Sequence, residues 1–151
     1  MRLTSRPRPF RPTDLKRILE IEWSAFPGDA YSGKMFLELY AECADLFFVA
    51  QLSGRVVGYM VTCVQAGNAE LVSIGVDPTH RNRGVGTALM GHTLATLKAA
   101  GVRRVKLTVR TTNRAGIQFY RRLGFSRAGR IARYYAHGAD ALRMHRVLLR
   151  S

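Results

Sequence analysis

Ile74-Gly75-Val76-Asp77-Pro78-Thr79-His80-Arg81-Asn82-Arg83-Gly84-Val85-Gly86-Thr87-Ala88-Leu89-Met90 is the stretch from which the fold can be read. Asp77-Pro78 ends a strand, and Arg81-Asn82-Arg83-Gly84-Val85-Gly86 is a basic, glycine-bearing turn that opens a helix. Glycines let backbone N–H groups converge without Cβ obstruction. At a helix start those N–H groups are unsatisfied and favoured by the dipole, which makes an anion site suited to a pyrophosphate. The helix expected over 84–100 is amphipathic, with Gly86, Leu89, Met90, Thr93, Leu94, Leu97 and Ala100 on one face and His92 and Lys98 off it. The turn lacks the third glycine of a dinucleotide fingerprint and the Gly-Lys-Ser/Thr of a P-loop.

Working outward, the segments before the loop read as helices over 13–25 and 32–44, then strands over 47–52 and 55–65 joined at Ser53-Gly54, a hairpin signal. A strand over 68–76 follows Ala66-Gly67. Prolines 7, 9 and 12 confine the first extended segment to a sheet edge, and Thr13 or Asp14 can cap the helix after it. Downstream, Val105, Leu107 and Val109 alternate with Lys106 and Thr108 as in a strand, and a short helix over 114–123 stops at Gly124. Segments 125–136 and 139–149 read as a closing hairpin around His137-Gly138. The order βααβββαβαββ is an α/β (α+β) layer with a mostly antiparallel sheet. The 151 residues suit one domain, 1–151, without repeats or linkers.

Net charge is +14 and Arg far exceeds Lys. Such a surface concentrates polyanions, so contact with nucleic acid or the ribosome is admitted, although the arginines are scattered and no helix-turn-helix, RNP or zinc pattern accompanies them. No apolar run reaches the ~20 residues of a membrane span. Cys43 and Cys63 lie among apolar neighbours without metal-ligand spacing, and are expected as reduced, buried thiols in a cytoplasmic protein.

The order strand, Asp-Pro, Arg-x-x-Gly-x-Gly, amphipathic helix resembles the coenzyme A signature of the GCN5-related N-acetyltransferase family. Val105–Asn113, Ile117–Phe125, Tyr134-Tyr135, Asp140–Met144 and Ala25-Phe26-Pro27 are similar to its ribosomal-protein alanine acetyltransferase branch. The resemblance implies a mixed sheet splayed between 68–76 and 104–109, with helices on both faces and acetyl-CoA as cosubstrate in the opening. No metal is implied. It places pantetheine on Ile74, Gly75 and Val76, with a free N–H near Val76 as oxyanion donor. It places pyrophosphate on Arg81, Asn82, Arg83, Gly84, Val85, Gly86 and Thr87. Asn113 is placed at the pantetheine or as a helix cap, and Tyr120 beside the cosubstrate as the acid for the departing thiolate.

The branch carries a Glu as base where this chain has Thr108, which cannot serve at neutral pH. Glu70, on an otherwise apolar strand that would raise its pKa, is the expected base; a strand-end Glu that satisfies an arginine is its ordinary alternative. The acceptor is a primary amine: a protein N-terminus, as in the alanine branch, a lysine, a polyamine or an aminoglycoside. The competing expectations are a fold that senses acetyl-CoA without turnover and a small-molecule amine acetyltransferase. A monomer or homodimer without membrane attachment is expected.

Overall fold

The computed structural model describes residues 6–148. One seven-stranded sheet runs through them in the order β1-β2-β3-β4-β5-β7-β6. The strands are β1 (Arg8–Pro9), β2 (Phe47–Leu52), β3 (Arg55–Gln65), β4 (Asn68–Val76), β5 (Arg104–Arg110), β6 (Ser126–Ile131) and β7 (Ala141–Val147). The helices are α1 (Leu15–Ala25), α2 (Gly33–Cys43), α3 (Val85–Ala99) and α4 (Arg114–Arg122). Only β4 and β5 pair in parallel; every other neighbour is antiparallel. This is the βααβββαβαββ order expected from the sequence.

Two tight hairpins set the register of the first half. Ser53-Gly54 (φ 52° and 78°) and Ala66-Gly67 (φ 53° and 79°) have the paired positive φ of turns that follow strand twist. The hydrophobic core divides by sheet face. On one face α1 and α2 cover β2 and β3 through Ile18, Ile21, Phe36, Phe47, Tyr59 and Val61. On the other, Leu89, Met90, Leu94 and Leu97 of α3 pack on Met60, Ile74, Leu107 and Met144. Ala100 ends that helix exposed, not on its buried stripe, and Val85 is buried in its place.

Two expectations change. The closing strands are shorter than their pattern suggested, because Asp140 accepts the N–H of Arg133 (3.0 Å) and two hydrogen bonds from Arg130. Those bonds hold 132–140 as a looped connection; Leu149 and the basic start Met1–Ser5 lie outside the described residues. Cys43 and Cys63, expected as reduced thiols, are joined in a disulfide. The end of α2 packs on β3 and brings their Cα atoms to 5.3 Å, a proximity that a separation of 20 residues does not announce. The cytoplasmic expectation thereby loses the support it drew from reduced cysteines. Among the described residues no helix is long and apolar enough to cross a membrane.

Candidate active site

The site begins where the parallel pair comes apart. β4 and β5 pair only at Asn68–Arg104, Ala69–Val105 and Glu70–Lys106. Beyond that row the two strands separate, although both continue. The cause is visible on the other edge of β4: the β3 register slips between Val61, opposite Ser73, and Thr62, opposite Leu71. Val72 is therefore the extra residue of a bulge, which bends a strand and re-aims its side chains. The edge of Ile74, Gly75 and Val76 that faces β5 is left without a ladder and offers main-chain groups to an extended ligand. A side chain at Gly75 would stand 2.6 Å from the Tyr59 ring, so the strand is glycine where the tyrosine crosses it.

At the end of β4, Asp77 turns the chain. Its carboxylate accepts from the Thr79 N–H (3.0 Å) and hydroxyl (3.0 Å) and from Arg17 of α1. Arg81, Asn82 and Arg83 follow exposed, with Asn82 (φ 63°) and Gly84 (φ 81°) in the left-handed region. Gly84 is the N-cap of α3, and no side chain caps that helix, whereas Ser32 and Asn113 cap α2 and α4. The opening N–H groups through Val85, Gly86 and Thr87 are thus free of side-chain acceptors, which suits a pyrophosphate. Gly86 also lets α4 approach, since a Cβ there would lie 3.1 Å from the Phe119 ring. The uncapped helix start beside an unladdered strand edge fits the expected cosubstrate.

Asn113 takes the cap role left open by the sequence: its Oδ1 accepts from the Gly116 N–H at 3.0 Å. Tyr120 projects from α4 into the core, edge-on to Phe119 and Phe125. No described residue hydrogen-bonds its hydroxyl. Burial, with a smaller contribution from Tyr135, lifts its pKa well above the ordinary phenol value, so it remains a neutral donor. Glu70 lies on the other sheet face and is exposed, not desolvated as its apolar strand suggested. It is near enough to Tyr31 to help raise that phenol's pKa, after burial, Tyr134 and Glu22.

Glu22 and Asp29, which the sequence reading passed over, converge on this second face with Tyr31, Arg110 and Tyr135. Glu22, 2% exposed, accepts from Tyr59 Oη, from Ser73 Oγ (2.8 Å) and from the Tyr31 N–H (3.0 Å). Its carboxylate joins α1, β3, β4 and the loop before α2 around the bulge. Leu15, Ile18, Ile21 and Glu22 share helical spacing, and a carboxylate on that apolar stripe was the available signal. Asp29, in the same loop, makes a two-pronged ion pair with Arg110 at the end of β5. The Arg110 guanidinium sits 5.0 Å from the Tyr135 ring centroid. Burial, helped by Tyr134, pushes the Tyr135 phenol up to about 12. Asp29, Arg110 and Tyr135 link the 26–32 loop, β5 and the 132–140 connection around one mouth.

The chain matches the model of the acetyltransferase (GNAT) family over residues 15–125. It is 34% identical over 147 residues to an N-alpha-acetyltransferase of Sulfurisphaera tokodaii, covering 89% of this chain and 87% of that one. It is 35% identical over 125 residues to the [ribosomal protein bS18]-alanine N-acetyltransferase of Escherichia coli, covering 82% of each. Ard1 from Thermoplasma volcanium superposes with a TM-score of 0.92 at 30% identity, over 95% of this chain and 97% of that one. With the forked sheet, the uncapped helix start and these relatives together, the chain belongs to the GNAT family and is an N-acetyltransferase.

Proposed function

We propose that residues 1–151 work as one domain that moves an acetyl group from acetyl-CoA directly to the amine of a protein N-terminus. The observation that carries this reading is the fork: an open strand edge on β4, an uncapped α3 on one face, and a tyrosine-lined mouth on the other. The two substrates would meet through the sheet, with the acyl donor against Ile74–Val76 and Gly84–Thr87 and the acceptor between Tyr31 and Tyr135. The relatives named as acting on protein N-termini support this choice of acceptor.

Tyr120 is held as a phenol and donates a hydrogen bond to the departing sulfur as charge builds there. Glu70, at the last paired row below the fork, takes the amine proton through water, because Thr108 offers no base. The protein works where acetyl-CoA is made, in the cytoplasm, and the disulfide then follows the local thiol poise.

Thermal stabilisation by acetyl-CoA, and a smaller one by dephospho-CoA, checks the donor site. Free thiol released with an Ala-led peptide panel checks the reaction. Tyr120→Phe lowers kcat about a hundredfold and leaves acetyl-CoA affinity unchanged; an undiminished rate removes its role. Glu70→Gln with full activity removes the base. A chain that binds acetyl-CoA and turns over no amine is a sensor instead, the reading that Thr108 favours.

A further inference from the structure

On the acceptor face of the half of the sheet beyond the fork, Lys106, Thr108, Arg143 and His145 are half-buried and Arg104 is exposed. α1 and α2 lie over β3 and β4, while α3 and its core occupy the opposite side of β5 and β7. Register identifies what this face carries. Thr108 stands opposite Arg143, Lys106 opposite His145, and Arg104 opposite Val147, while Lys106 also neighbours Glu70 in the last paired row below the fork. Val105, Leu107, Val109, Leu142 and Met144 are buried on the far face, so these residues alternate onto the acceptor face. Among the described residues, Arg104, Lys106 and Arg143 make no ion pair, although Arg110 in the same strand is paired with Asp29.

Thr108 gains a meaning here. A carboxylate here, as the resemblance to the alanine acetyltransferase branch implies for its members, would lie opposite Arg143 and offset its charge. Threonine leaves the Thr108–Arg143 row cationic, while Asp29 is held by Arg110 and Glu70 lies one row below, beside Lys106. Three rows of β5, from Thr108 to Arg104, span about 13 Å at ~3.3 Å per residue, the length of four extended residues.

We propose that this face selects acceptor polypeptides that carry aspartate or glutamate in the four or five positions after the acetylated residue. The inference rests on the proposed transfer to a protein N-terminus. Arg143 and Lys106 contact the acidic side chains, and Arg104 receives the end of the run. A polypeptide is favoured over nucleic acid because the cations adjoin the amine mouth and form a narrow pair of strands, with no aromatic stacking platform among them.

The test measures kcat/KM by thiol release for Ala-led peptides whose next five residues are acidic, amide or lysine. The acidic peptide is expected to exceed the amide peptide about tenfold at low salt and to lose most of that advantage at 0.5 M salt. Lys106→Gln and Arg143→Gln, each measured for a retained thermal midpoint, bring the ratio of acidic-peptide to amide-peptide kcat/KM close to one, and an unchanged ratio overturns the inference. Lys106→Glu with Arg143→Glu reverses it toward the lysine peptide. Equal rates on acidic and amide peptides overturn the inference while the N-terminal reading stands. No turnover of any peptide removes the N-terminal reading and this inference with it. If the same variants lose salt-dependent binding to a single-stranded RNA, and peptide charge is without effect, the face belongs to nucleic acid and the inference is overturned.

Discussion

Glu22 shows how much one side chain can organise. It is a carboxylate in a hydrophobic cluster, and three donors from three different segments converge on its two oxygens. A buried acceptor satisfied in this way costs little, while its partners left alone cost about 1–3 kcal/mol each. Glu22→Ala strands the Tyr59 hydroxyl, the Ser73 hydroxyl and the Tyr31 N–H together. Stability should fall by about 3 kcal/mol in urea unfolding at pH 7, with Tyr31 loosened at the mouth. A loss below about 0.5 kcal/mol would mean that water replaces the carboxylate readily. The Tyr59 phenol stays protonated there: burial and then Glu22 raise its pKa well above the ordinary value.

At the scale of elements, the turn proposed to hold the pyrophosphate is fastened from below. Arg17 of α1 donates to the Val56 carbonyl at 2.9 Å and to the Asp77 carboxylate, while the Asp77 N–H bonds the Val57 carbonyl at 2.8 Å. Thus α1, β3 and the turn after β4 are tied immediately before Arg81–Gly84. Burial alone would raise the pKa of Asp77, but the Thr79 N–H, Arg17 and the Thr79 hydroxyl outweigh it and bring it from 3.8 to about 2. The folded value lies below the unfolded one, so the stabilisation is complete above pH ~4 and is lost as pH falls toward 2. Asp77→Asn should therefore lower stability at pH 7, and its difference from the parent should shrink steadily between pH 4 and 2. A constant difference across that window would show that the charge is not what holds the turn. The elements were largely legible beforehand because their signals are local: paired positive-φ hairpin turns, a glycine at the helix start, alternation in β5. The closing strands end short of their alternating pattern because Asp140 competes for backbone donors through a contact that periodicity does not register.

Across the whole molecule, the disulfide and the fork are consequences of packing. Cys43–Cys63 closes a loop spanning 20 residues between α2 and β3, which by chain entropy contributes about 3 kcal/mol. Reduction should lower the urea midpoint accordingly, and a Cys43→Ser, Cys63→Ser double variant should match the reduced protein and ignore reductant. Equal midpoints with and without reductant would show that the bond adds nothing to the fold. Residue order by itself determined the strand and helix sequence, the basic glycine turn that opens α3 and the placing of Tyr120 on the short helix, because these depend on neighbours within one or two turns of chain. Tertiary structure decided the rest. The bulge at Val72 opens the fork, the meeting of α2 with β3 pairs the cysteines, and the convergence of α1 with β4 buries Glu22. Each depends on segments distant in sequence, whose contacts exist only once the sheet has formed.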